Sequence, residues 1–396
     1  MRKHGSMVMS VLAAVCLFSV GCKKEQIIKL ATQSPLSGDT KEQGIDIKNG
    51  ALLAIEQLST GLGEMGIKVE LAPFDDQGDP KQGIENAKII VADPAILAVV
   101  GHYDSGVQIP SSEIYHGANL CNISPANTNP DVTDRGYAEV NRICGRDDVQ
   151  GFVGAQLAKK RRIRSAYVVH DTTTYGRGIA EFFRKGAESQ GIQVVGFTGT
   201  EEKTHFSTLI PAILKQKPEA VYMAAGFEVS GLLKQLRDKG FKGMFISVDA
   251  FDSPEAAKLA GDALVSGEGT YFSTVAGPAF AYPDTGKFVN DFKSKFGAPP
   301  KPFAAQSYDC TAIALKAIEN AAKAADGKAP SRVDVAKAVR DLKDFHGITG
   351  TVTFNAKGDP TMAKYFVIQV TSADPARWAA NRIDQTLEIA PPQQRH

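Results

Sequence analysis

From Ile27 onward the chain alternates, twice over, between short apolar runs rich in β-branched residues and longer stretches whose apolar side chains recur at helical spacing. No other feature constrains the fold as tightly. A strand that is apolar along its whole length is covered on both faces, and successive parallel strands are joined by a crossover, usually a helix. In the first series the spacing predicts strands at 27–31, 67–73, 96–100, 120–123 and 140–144, with helices at 44–58, 80–92 and 107–116 between them. The second series places strands at 166–170, 192–197, 220–225, 244–248 and 268–272, and helices at 150–158, 178–190, 207–215 and 229–239. Three helices follow at 285–296, 304–325 and 333–342, then strands at 350–355 and 364–370 joined by a turn at 356–360. The expectation is an α/β chain with two parallel-sheet lobes that share the trailing helices through several crossovers.

A chain of 396 residues is long enough for two domains. Its 45 basic and 44 acidic residues nearly cancel, so no global field favours nucleic acid. The amino terminus has the build of an export signal: Arg2, Lys3 and His4, then an apolar run from Met7 to Val20 too short to span a bilayer. It ends in Ser19-Val20-Gly21-Cys22, which resembles a bacterial lipobox, so residues 1–21 are read as a signal peptide and Cys22 as the acylated first residue of the mature protein. Ordinary cleavage without a lipid and an uncleaved anchor are the competing readings. The tail 391–396 is expected to be disordered. Three cysteines remain in the body of the chain. Cys121 and Cys144, in consecutive predicted strands, form a disulfide if the register allows it or stay two buried thiols if it does not; Cys310 reads as core.

Within 99–136 an apolar run stops twice at small hydroxyl and amide residues, first at Tyr103-Asp104-Ser105-Gly106, then at Ser124-Pro125-Ala126-Asn127-Thr128. In an open parallel sheet such strand ends lie side by side, and ligands bind in the crevice beyond them. Hydroxyls and free backbone N–H groups without a strong base suit holding a carboxylate better than breaking a bond. Catalytic signatures are missing: there is no GxSxG, HExxH or GxxxxGK[ST], and no His, Cys or Asp group has metal-ligand spacing. The GxGxxG at 61–66 ends a helix and leads into a strand, the reverse of a dinucleotide fingerprint, so no cofactor is implied. His102 and His170 each end a strand; either is the candidate base if the chain were a hydrolase using Ser105.

These segments carry a resemblance. Ser37-Gly38 with Gly44, Asp75-Asp76 with Asp79-Pro80-Lys81, Gly101-His102, Ser124-Pro125-Ala126 with Thr128, Arg135-Gly136-Tyr137, His170-Asp171 with Tyr175-Gly176, and Phe206-Ser207-Thr208-Leu209 follow one another in the order seen in the leucine/isoleucine/valine-binding proteins. Those are the branched-chain amino-acid receptors of bacterial ABC importers. The resemblance spans nearly the whole mature chain. It implies the type I periplasmic binding fold, two Rossmann-like lobes joined by a three-crossover hinge. Residues 27–146 with 277–349 would form one lobe and 147–276 with 350–390 the other.

It also implies function. A small amino acid is captured between closing lobes and passed to an inner-membrane ABC permease; the receptor is periplasmic, monomeric, and touches the membrane only through its lipid. Ser105, the Ala126 backbone and Thr128 match the positions that hold the ligand carboxylate, Asp249 the acid that meets the ammonium, and Tyr175 a second-lobe tyrosine. Gln43 replaces the family's first-loop tyrosine, Phe227 falls near its later aromatic, and Phe303 is placed to line the side-chain pocket. Tyr103 and Asp104 stand where branched-chain receptors carry an apolar residue and a disulfide cysteine, whose partner position here is Gly78. Leucine itself is therefore not implied, and a small amide or short-chain acid, or a sensory role, remains open.

Overall fold

The computed structural model describes residues 25–392. The leader, Cys22 and residues 393–396 lie outside the described residues.

Strand β1 (Gln26–Ser34) is buried over its carboxyl half and sits inside a sheet. It pairs in parallel with β2 (Ile67–Asp75) on one side and β3 (Ile96–Gly101) on the other. β4 (Cys121–Ser124) and β5 (Val140–Arg142) extend the sheet in the order β2-β1-β3-β4-β5, all parallel. The apolar runs drive this: every residue of β3 and β4 is buried. Between strands, the helix Pro80–Ala92 shows how local sequence sets a boundary. Asp79 caps it by accepting the Lys81 N–H at 2.7 Å, and Pro80 takes the first position, where no N–H is needed. The helices Lys41–Leu58 and Ala304–Ala324 cover the sheet together. They approach so closely that a Cβ on Gly50 would lie 2.2 Å from the Ala304 carbonyl oxygen.

The second sheet has the order β14-β13-β10-β9-β8-β6-β7. β6 (Ser165–Asp171), β7 (Gln193–Thr200), β8 (Ala220–Ala224), β9 (Met244–Ser247) and β10 (Thr270–Thr274) are parallel to one another. β13 (Ala363–Gln369) is antiparallel to β10, and β14 (Arg382–Ile389) is antiparallel to β13. The expected all-parallel second lobe is thus a mixed sheet. β14 was absent from the sequence reading because Arg382, Asp384, Gln385 and Glu388 break any apolar run, as an edge strand half open to solvent permits.

The chain passes between the two sheets three times: after β5, after β10 and ahead of β13. The last passage comes later than the sequence suggested. Residues 350–355 were placed in the second lobe, but β12 (Gly350–Val352) pairs with β11 (Phe345–Gly347), and Val352 and Phe354 join the core of the first sheet with Ile28, Leu30 and Ile123.

The proposed Cys121–Cys144 disulfide is not formed; both are buried free thiols. Register explains why. Cys121 opens β4, whose Asn122 is level with Val140 at the start of β5, whereas Cys144 lies two residues beyond the opposite end of β5, so the two are not cross-strand neighbours. Cys310 lies in the first lobe's core. Among the described residues no helix is long and apolar enough to cross a membrane.

Candidate functional site

β3 and β4 run in register, Val100 beside Ile123, so their carboxyl ends open on one crevice. The chain leaves β3 and enters the helix Ser105–Gly117 with Ser105 as its first residue, where backbone N–H groups lack intrahelical partners and the dipole favours an anion. The loop after β4 is strapped from behind. Asn127 ties it to the neighbouring strand end: its amide oxygen accepts from the His102 N–H (2.9 Å) and the Ser124 hydroxyl (2.6 Å), while its amide nitrogen donates to the Tyr103 carbonyl (2.9 Å). Arg142, fully buried, donates to the carbonyls of Asn127 (2.9 Å) and Asn129 (2.8 Å), turning those oxygens toward β5. Its Nε meets Asp359 Oδ1 at 2.7 Å. Burial works against the Asp359 carboxylate, but Arg142, Thr133 and Arg146 together hold it below the ordinary value. Ala126 and Thr128 thus sit on a loop with little freedom.

On the second lobe, Asp249 follows β9 and opens a short 3-10 turn, Asp249–Phe251. Tyr175 lies in the first turn of the helix Thr174–Ser189, which Thr173 caps through the Gly176 N–H at 2.9 Å. The Tyr175 hydroxyl donates to Asp249 Oδ1 at 2.6 Å, and Gln150 Nε2 donates to the same oxygen at 2.8 Å. Among the described residues no side chain donates to Oδ2. Burial pushes the Asp249 carboxyl up, and these two donors only partly offset it. Asp147 stands close by, fully buried, with neither carboxylate oxygen bonded. Burial and the Asp249 charge push it well above the carboxylate range, and Thr128 and Arg142 only partly offset them.

Tyr103, Asp104, Ser105, Ala126, Thr128, Tyr175, Asp249 and Ala250 enclose a cavity of about 30 Å³, room for about two waters. Phe303 stands outside it and braces Tyr103 edge to face, ring centroids 5.9 Å apart. Gln43 is buried in the helix Lys41–Leu58, and Phe227 packs on the second lobe's core; neither lines the cavity. A larger cavity, about 420 Å³, lies among the crossing segments near Tyr282, Thr351 and Lys364 and includes none of these strand-end residues.

The histidines are engaged elsewhere. His102 is fully buried between Gln108 and the Tyr115 hydroxyl, and burial lowers it to about 4. His170 Nδ1 bonds the Asp171 carbonyl at 2.7 Å. The Ser105 hydroxyl accepts from the Asn129 N–H at 3.4 Å. Sequence reasoning missed Ala250, Gln150, Asn127, Asp147 and Arg142. Only Arg142 carried a usable signal, a charge inside an apolar strand.

Comparison with known proteins identifies the family. The family described as periplasmic binding protein matches residues 27–375. The Leu/Ile/Val-binding protein homolog 1 of Brucella melitensis is 33% identical over 357 residues, covering 89% of this chain and 92% of its own. The leucine-, isoleucine-, valine-, threonine- and alanine-binding protein of Pseudomonas aeruginosa is 31% identical over 364 residues, 91% of this chain and 94% of that one. Among solved structures, the leucine-binding protein LivK of Thermotoga maritima superposes with a TM-score of 0.80 at 26% identity, covering 91% of this chain and 98% of that one. A benzoate complex of a solute-binding protein from R. palustris reaches 0.78 at 18% identity, covering 92% and 98%; it shares the fold. With the family match spanning residues 27–375 and curated relatives above 30% identity over about nine-tenths of its length, the chain belongs to the periplasmic binding protein family.

Proposed function

We propose that the protein is an extracytoplasmic receptor that captures an α-amino acid between its lobes for an ABC permease of the inner membrane. The observation that carries this reading is the split polarity of the cavity. Its first-lobe wall offers hydroxyls and helix-end N–H groups; its second-lobe wall offers a buried acid, one oxygen of which meets no side-chain donor among the described residues. A zwitterion matches both walls at once. In this reading Ser105, the Ala126 N–H and Thr128 hold the carboxylate, and Asp249, oriented by Tyr175 and Gln150, receives the ammonium. The Brucella and Pseudomonas relatives are named for leucine, isoleucine, valine, threonine and alanine, which share that head group and differ in the side chain.

Because the cavity holds about two waters, an amino acid enters only when the lobes part, and its contacts with both walls favour the closed form. The leader and Cys22 support export and lipid anchoring. The ligand is returned unchanged rather than turned over. A thermal-shift and calorimetry screen of L-amino acids tests the reading. A true ligand at a hundredfold excess over its Kd stabilises by about 2.7 kcal/mol, whereas its des-amino analogue does not. Absence of a shift with every amino acid would refute the receptor assignment.

A further inference from the structure

Beside the amino-acid clamp, the cleft has an acidic wall. Asp104 holds the N-cap position of the helix Ser105–Gly117, where an aspartate ordinarily accepts an N–H of its own helix. Here it makes no cap bond and lines the cavity instead. Asp76 lies behind it, fully buried. Its Oδ1 accepts the Gly78 N–H at 3.0 Å, and its Oδ2 has no partner. The two acids flank Gly78, which has φ of +68° and would place a Cβ 3.2 Å from Asp104 Oδ2. Gln43 abuts the same strand ends: the Ser34 hydroxyl donates to the Gly44 carbonyl at 2.9 Å, and the Asp76 N–H donates to the Ser34 carbonyl at 3.2 Å. The Gln43 side-chain oxygen is buried without a donor.

The second lobe adds to the excess. The charges of Asp171 and Glu228 act on Asp104, and Glu228 Oε2 is also buried without a partner. The cation whose field reaches Glu228 is Lys203, and its ammonium is bonded to Asp39 at 2.7 Å. Asp76 on the first lobe and Glu228 on the second thus each keep a buried carboxylate oxygen without a donor.

We propose that the ligand's side chain ends in a cation, a second ammonium or a guanidinium, which Asp104, backed by Asp76, receives from the first lobe and Glu228 from the second. The assignment rests on the α-amino-acid reading above, which fixes the other end of the ligand. An aliphatic side chain would seal these acids in with no donor, and an acidic one would add a like charge. Burial pushes Asp104 up to about 8 and Asp76 up to about 7, and raises Asp171 and Glu228 as well. Asp171 already accepts the Thr173 N–H at 3.0 Å, whereas Asp104 makes no cap bond and Asp76 and Glu228 each keep an oxygen without a partner. Binding a cationic side chain at pH 7 would ionise Asp104 and release its proton.

The test is calorimetry on the full mature chain with L-lysine, L-ornithine, L-arginine and L-norleucine, which matches lysine in chain length without the charge. The expected result is a cationic ligand bound at least about thirtyfold more tightly than norleucine, with proton release visible as a heat that depends on the buffer's ionisation enthalpy. Asp104→Asn, and separately Glu228→Gln in case the first fails to fold, should shrink the ratio of the two affinities. If norleucine or leucine binds while no cationic amino acid does, the cation site is wrong and the amino-acid reading stands. If no amino acid binds at all, the amino-acid reading fails and takes this inference with it.

Discussion

Carboxylates in two regions of this molecule live under opposite conditions. At the crossing segments, Asp359 is met by Arg142 at 2.7 Å and Arg146 at 3.1 Å, with the Thr133 hydroxyl at 2.7 Å on the same side chain. In the cleft, Asp249 has a tyrosine and an amide, Asp147 has nothing at bonding distance, and Asp104 has neither cap bond nor cation. Burial penalises the anion in both places; the first group falls below the ordinary value and the second rises above it. The difference teaches what each region is for. The crossing pairs its buried acid with two arginines, whereas in the cleft the Lys203 ammonium is bonded to Asp39 and, among the described residues, no cation forms an ion pair with Asp249, Asp147 or Asp104.

Removing the cation from the complete site should have the largest effect. Arg142→Ala leaves Asp359 buried with a reduced partner set and frees the carbonyls of Asn127 and Asn129. Loss of a buried partner of this kind costs about 3–5 kcal/mol, read as a lower urea midpoint. A change below about 1 kcal/mol would mean that the crossing is not held by this pair. In the incomplete site the cost should fall on binding. Asp249→Ala is expected to weaken an amino-acid ligand by about 2–5 kcal/mol in calorimetry while leaving the unfolding midpoint equal to or above that of the parent, because a raised carboxyl is removed. Equal affinity in the two proteins would show that the ammonium lies elsewhere.

A smaller loss is expected at the neutral donor. Ser105→Ala removes one hydrogen bond to a charged carboxylate, about 1.5–3 kcal/mol, and an unaltered Kd would remove Ser105 from the clamp. The finest test is a slope. Asp104 titrates near 8 when folded and near 3.9 when unfolded. Between those values the folded chain keeps a proton that the unfolded chain has lost, so the ligand-free protein loses stability as pH rises across that window. Asp76, near 7, contributes in the same sense, with Glu228, Asp171, Asp39 and Lys203 facing the same space. Asp104→Asn should flatten that decline in urea midpoints taken from pH 5 to 8. A slope identical to the parent's would mean that Asp104 is already paired.

How much of this was legible in the sequence depends on whether one side chain or several carry the signal. Apolar runs such as 96–100 announced the buried strands, and Asp79-Pro80 announced a helix start to the residue. Strand ends at Ser105, Ala126 and Thr128 were legible because the topology itself brings neighbouring carboxyl ends together. β14 was not, since an edge strand needs no apolar run. The lobe membership of Val352 and Phe354 was not either, because it depends on which of two cores lies nearer, a fact of tertiary packing. Asn127 and Gln150 are ordinary polar residues in sequence. Their roles arise only when distant partners, Tyr103 and Asp249, are brought within bonding distance.

The narrowness of the cavity has a kinetic consequence. With space for about two waters between the lobes, a solute the size of an amino acid fits, and leaves, only when the walls part. Escape of a captured solute is then a unimolecular event timed by separation of the lobes, and solutes of quite different affinity would share a similar ceiling on how fast they can be let go. Off-rates from this receptor would measure the hinge, and affinities would measure the seat.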